Sequence, residues 1–227
     1  MTNRRKMSSA AACVVLLSAC GGGGSDAPKG DLYITYEYPA ETRLKLFDTI
    51  DVRPTLSGFE GRKHSFKLAS LLSSELPSVS TFSTTDGSIR GYAAKAGTSA
   101  VVGEVSVEGF INTLIASTSI QITTDISVTF SKAPVRFIST APYGPITPIV
   151  SGLLPNDSIS NFRLRLNKLT GQPQSVLPPG FSLNAQTGEF GGLPTGRGSY
   201  HMMFEATVVR GGKEATIGFD HFFNIAI

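Results

Sequence analysis

From Asp31 onward no long segment carries a helical period; apolar and polar residues alternate in short runs, the pattern of half-buried strands. Phe162, Leu164 and Leu166 alternate with Arg163, Arg165 and Asn167. Tyr200, Met202, Phe204, Ala206 and Val208 then alternate with His201, Met203, Glu205, Thr207 and Val209. Each run predicts a strand with one apolar face. RGGK at 210 to 213 supplies a glycine turn, and Ala215, Ile217, Phe219, Phe223, Ile225 and Ile227 form the inward set of a returning strand, so this segment reads as a hairpin. Nearer the start, Leu32, Ile34, Tyr36 and Tyr38, and later Val101, Val105 and Val107, follow the same rule. Many short strands between turn signals predict an all-β chain of antiparallel sandwiches.

Of the 227 residues, the 30 before Asp31 leave 197, enough for two domains of about 100 residues each. They read as an internal repeat. PTLSG at 54 to 58 corresponds to PIVSG at 148 to 152, SFKL at 65 to 68 to NFRL at 161 to 164, and ELPSVSTFSTTDGSIRGY at 75 to 92 to VLPPGFSLNAQTGEFGGL at 176 to 193. The offset grows from 94 to 96 to 101, as it does when surface loops of two copies take insertions. The expected boundaries are 31–125 and 126–227, with almost no linker at Thr123 to Ile126.

The stretch LPPGFSLNAQTGEFGGLPTGRGSY at 177 to 200 raises the possibility of a phosphate-cradling glycine loop. Such a loop needs a helix start after its glycines, and here the next element alternates as a strand. These glycines are therefore read as turn formers, with Phe181 and Leu183 entering the core and Phe190 and Leu193 returning on the same side. The segment 177 to 206 resembles an immunoglobulin-like family of bacterial surface proteins related to cadherin-like repeats. The resemblance is carried by Leu177, Pro178, Pro179, Gly180, Ser182, Leu183, Asn184, Thr187, Gly188, Gly192, Pro194, Thr195, Gly198, Tyr200, Phe204 and Ala206. The first copy keeps Leu76, Pro77, Asp86, Gly87 and Gly91 and reads as a degenerate member. The resemblance implies sandwiches that serve as spacer or interaction modules in exported proteins. With no tryptophan in the chain, its 14 phenylalanines and 6 tyrosines must fill much of the core.

The chain opens MTNRRKMSSAAACVVLLSAC. Basic residues ahead of a short apolar run mark a secretory signal. The uncharged segment from Ser8 to Cys20 has 13 residues, short of the roughly 20 needed to span a bilayer. Leu17-Ser18-Ala19-Cys20 resembles the bacterial lipobox, which implies cleavage after residue 19 and acylation of Cys20. Cys13 would leave with the signal, so Cys20 becomes the single cysteine of the mature chain and no intrachain disulfide is expected. The three basic side chains removed, out of 20, leave 17 against 17 acidic ones. Net charge falls to zero, and the case for nucleic acid or another polyanion falls with it. Residues 20–30 read as a Gly-rich tether. The expected location is the cell envelope, lipid-anchored at the outer membrane, since Gly21 stands where the inner-membrane retention signal has Asp.

Little in the chain suggests chemistry. His64, His201 and His221 are far apart in sequence and in no ligand spacing. His64, after Arg62 and Lys63, reads as solvated loop and His201 as outward-facing. His221 is in phase with the apolar face, either buried with a hydrogen-bond partner or displaced by a bulge. No GxSxG elbow is present, and Asp125 and Asp220 stand apart from other acids, poor material for calcium, which needs six to eight oxygens. Arg163, Arg165 and Lys168 could meet lipid headgroups or an acidic glycan, or form the wet face of an edge strand. The expectation is thus an all-β protein of two tandem immunoglobulin-like antiparallel β-sandwiches after a lipoprotein signal peptide. It has no enzymatic role, cofactor or metal, and acts on another envelope protein or, alternatively, on a cell-wall or capsular glycan.

Overall fold

The computed structural model describes residues 32–36, 43–69, 76, 79–130, 136–138, 142–167 and 170–226. The signal, Cys20, the tether, Tyr38, Pro77, Lys168 and Ile227 lie outside them. Among the described residues every regular element is a strand. They fall into two compact units, the first chiefly Asp48–Ala93 and Gly97–Thr123, the second chiefly Thr124–Ile227.

The first unit contains β1 (Tyr33–Tyr36), β2 (Leu44–Lys45), β3 (Thr49–Val52), β4 (Pro54–Ser57), β5 (His64–Leu68), β6 (Ser80–Phe82), β7 (Ile89–Tyr92), β8 (Gly97–Val107) and β9 (Leu114–Thr123). They form a four-stranded sheet in the order β2-β9-β8-β5, a three-stranded sheet β3-β7-β6 and the pair β1-β4. The alternation read from the sequence places Val101, Val105 and Val107 of the larger sheet inside; Phe66 and Ile120 of that sheet, and Ile50, Val52 and Ile89 of the smaller one, complete the core.

The second unit contains β10 (Ser127–Phe130), β11 (Arg136–Ile138), β12 (Tyr143–Ile146), β13 (Pro148–Ser151), β14 (Ser158–Leu164), β15 (Phe181–Leu183), β16 (Phe190–Gly192), β17 (Gly198–Arg210) and β18 (Lys213–Ala226). Its sheets are β11-β18-β17-β14, β12-β16-β15 and β10-β13. One pairing departs from the antiparallel expectation: β11 runs parallel to β18. Aromatic rings join the two larger sheets, with Phe190 of β16 meeting Phe204 of β17 and Phe223 of β18 at 6.1 Å each, and Phe181 stacking on Phe223 at 5.9 Å. Phe190 and Phe204 are completely enclosed, a burial worth roughly 1.5–3 kcal/mol per side chain.

The internal repeat holds residue by residue. Tyr36 pairs with Pro54 in β1-β4, and Phe130 with Pro148 in β10-β13, an offset of 94 on both strands. In the first unit the amide of Phe66 bonds to the carbonyl of Thr84 and that of Gly87 to Ser83; in the second Phe162 bonds to Ala185 and Gly188 to Asn184. Each of these glycines lies against the equivalent phenylalanine. A Cβ on Gly87 would sit 2.5 Å from the Phe66 ring and one on Gly188 2.6 Å from the Phe162 ring, so only glycine lets the turn close over the ring.

The copies differ where the sequences do. Tyr36 donates its hydroxyl proton to the carbonyl of Gly87 at 2.9 Å, whereas Phe130, its counterpart, joins the ring cluster of Phe190, Phe204 and Phe219. Burial, with a smaller contribution from Asp86, pushes the Tyr36 phenol up to about 12. The second difference is conformational. Gly180 has φ +87°, and its counterpart Val79 has φ +77°, a left-handed backbone that a β-branched residue adopts only under strain.

Two inward assignments need correction. Leu193 does not return with Phe190 but is 47% exposed, because β16 ends at Gly192 and the alternation ends with it. Leu166 is likewise exposed. The β14-β17 register shifts between Ser160 and Arg163, with Asn161 at φ +55°, and β14 stops at Leu164.

Candidate functional site

The β17-β18 hairpin supplies the most developed surface feature of the second unit. Its two-residue turn, Gly211-Gly212, locks an unbroken register from Arg210↔Lys213 to Gly198↔Ile225. Every second residue therefore points away from the core, and on that outer face Ser199 stands opposite Asn224 and His201 opposite Phe222.

This outer face is partly aromatic. The His201 and Phe222 rings stack with centroids 3.9 Å apart and planes 10° from parallel, yet Phe222 remains 67% exposed. Nε2 of His201 lies 3.2 Å from an Asp220 carboxylate oxygen, whose other oxygen is 3.5 Å from the Arg165 guanidinium. Ser199 donates its hydroxyl proton to the Asn224 side-chain oxygen at 2.5 Å. Ser199, His201, Phe222 and Asn224, with Tyr200 and Phe223, border a shallow cleft of about 380 Å³. Stacking holds Phe222 from one side, and the polar neighbours are fixed by their own contacts.

Two of the three basic residues read as a stripe, Arg163 on β14 and Arg165 just past its end, are paired with carboxylates. Nε of Arg163 donates to Glu205 at 2.7 Å and Arg165 faces Asp220. Glu205 is only 7% exposed, so removing Arg163 would leave an uncompensated carboxylate. β14 does lie at a sheet edge, where charged side chains discourage strand addition. A second carboxylate, Asp157, receives the Arg210 guanidinium through Nε at 3.0 Å and Nη2 at 2.6 Å. With the Arg210 hydrogen bond as the main cause, its carboxyl is held below the usual aspartate range.

The three histidines occupy different settings. His201 points outward, as the alternation requires. His64 is not a solvated loop residue: it opens β5 and lies half-buried, edge-on between Phe59 at 5.4 Å and Phe66 at 5.6 Å. His221 matches neither sequence alternative. The hairpin register runs through it without a bulge, and its buried Nε2 meets no hydrogen-bond partner among the described residues. Phe130, Phe190 and Phe223 surround it at 5.2, 5.9 and 5.8 Å, and this burial lowers its pKa. Among the described residues no group of three or more His, Cys, Asp or Glu side chains is arranged to hold a metal ion.

No protein-family model matches the chain, and no curated protein matches it. The resemblance at 177 to 206 thus rests on its motif. Among solved structures, similar chains include protocadherin Gamma B2 extracellular cadherin domains 3–6, at 11% identity over 85% of this chain and 45% of that one, with a TM-score of 0.31. The insect immune protein hemolin matches at 12% over 89% and 48%, with a TM-score of 0.33. A SusE-like, surface-located polysaccharide-binding protein from the Bacteroides thetaiotaomicron heparin utilisation locus matches at 15% over 85% and 33%, with a TM-score of 0.33. The chain spans less than half the length of each of these three. Similarities this remote carry no functional weight; the fold rests on the strand pairings themselves.

Proposed function

We propose that this chain is a non-enzymatic, lipid-anchored protein of the cell envelope, placed at the outer membrane and acting as a tethered spacer or protein-interaction module. The observation that carries this reading is the order of parts: a lipobox ending in Cys20, a Gly-rich segment, then two copies of one sheet-rich unit. GGGGSDAPKG spans about 17 Å as a flexible coil and reaches at most roughly 35 Å, which keeps the folded part near the membrane. Acyl chains contribute about 0.8 kcal/mol per buried methylene, and two or more give a stable anchor. In-cell crosslinking followed by mass spectrometry tests the interaction role. Reproducible crosslinks to one envelope component are expected; crosslinks confined to cytoplasmic proteins would contradict it.

A second reading, a glycan-binding module, is favoured by the exposed His201–Phe222 stack with its polar surround. On this reading the binding residues belong to a sheet face.

A further inference from the structure

We infer that the outer face of the β17-β18 hairpin centred on Phe222 is a saccharide-binding site. It takes a neutral pyranose with equatorial substituents, such as a β-linked glucosyl or N-acetylglucosaminyl unit. The inference rests on the glycan-binding reading above and assigns that reading to particular residues.

Phe222 is large, apolar and two-thirds exposed, although the same strand buries Phe219, Phe223 and Ile225. One face of its ring is covered by His201, which is itself held near Asp220. The ring is thus fixed before any ligand arrives, and little side-chain entropy remains to be lost on binding. Among the described residues no ring stacks on its other face, and the side chain is 67% exposed. An all-equatorial pyranose carries its axial C–H bonds on both of its flat faces, and either can lie against an aromatic face, where the ring carries its negative potential. Residues two apart on a strand are about 7 Å apart, which puts Asp220 and Asn224 on either side of Phe222, within reach of hydroxyls on a seated sugar. Together with Ser199 they offer both donors and acceptors.

The same face argues against other occupants. A stable protein interface buries about 800 Å² per partner around an apolar centre, whereas the neighbours of Phe222 on this face are the polar Asp220, Asn224, Ser199 and His201. A shallow cleft of about 380 Å³ is sized for one or two sugar rings and is small for an acyl chain.

The test uses residues 20–227 with Cys20→Ser, so that the chain stays in solution, titrated calorimetrically and by NMR with cellohexaose and chitohexaose. A β-galactan oligosaccharide, whose axial hydroxyl spoils one of the two flat faces, is the comparator. Weak, roughly millimolar binding to at least one of the first two is expected, weaker for the galactan, with shifts centred on residues 199–201 and 220–224. Phe222→Ala should weaken it tenfold or more, while Phe222→Tyr should retain it within about threefold. Binding that survives Phe222→Ala would leave the glycan reading standing and overturn this site. Absence of binding to all three sugars would overturn both, as would a protein partner crosslinked through Phe222 without sugar affinity.

Discussion

At position 79 the usual ranking of alanine over glycine should reverse. Val79 holds φ +77° where the equivalent residue of the second copy is Gly180, at φ +87°. Valine is 59% exposed there, so replacing it directly by glycine mixes backbone relief with some lost packing. Comparing Val79→Gly with Val79→Ala removes the packing difference almost entirely. A Cβ in the left-handed region costs roughly 1–2 kcal/mol, against which the freer unfolded chain of the glycine variant costs about 0.4–1 kcal/mol. The glycine variant should therefore be more stable by about 1 kcal/mol, which for a domain of this size raises the first unit's melting temperature by roughly 4–8 °C. Urea and thermal unfolding of the two variants measure the difference. In the second copy Gly180→Ala should cost more, since the new Cβ would also run into the carbonyl oxygen of Leu193. If Val79→Ala proved as stable as Val79→Gly, position 79 would not hold a left-handed backbone, and its equivalence to Gly180 would fail.

Two further predictions concern pH. His221 has a lowered pKa in the fold, so as pH drops below the ordinary value of 6.5 the unfolded chain takes up a proton that the folded one refuses. The second unit should lose stability from about pH 6.5 downward, above the window near pH 3.8 and lower where the salt-bridged Asp157 titrates; His221→Phe should flatten the upper window, and an unchanged slope there would contradict the buried imidazole without a partner among the described residues. At the alkaline end the Tyr36 phenol, raised to about 12, resists ionisation in the fold, so stability falls as pH rises from 10 toward 12. Tyr36→Phe should abolish that fall and, by leaving the Gly87 carbonyl without its donor, cost about 1 kcal/mol at neutral pH.

Much of this fold was legible because a strand's side-chain period is 2 and a two-residue turn fixes register. Val105, Phe204 and Ile217 went where alternation put them, and PTLSG and PIVSG identified equivalent strands. The failures lie where alternation stops: Leu166 and Leu193 stand just beyond strand ends, and no periodicity marks that end. The parallel β11-β18 pairing is a long-range contact with no local signature. The Phe222 surface was within reach of the sequence, because the RGGK turn that makes Arg210 face Lys213 also sets His201 opposite Phe222. It went unread because an outward aromatic beside an inward Phe223 looks like one more core residue. His221 could not be resolved from sequence, since whether a buried imidazole finds a partner depends on strands distant in the chain.

The central claim, that an acylated cysteine holds two sheet-rich units at the envelope, depends most on Cys20. Palmitate labelling of growing cells, followed by membrane fractionation and mass determination of the mature N-terminus, tests it directly. The wild-type chain should carry label, sediment with the outer membrane and begin at an acylated Cys20, and Cys20→Ser should lose the label and leave the membrane fraction. A Cys20→Ser chain that remained labelled and membrane-bound would contradict the account.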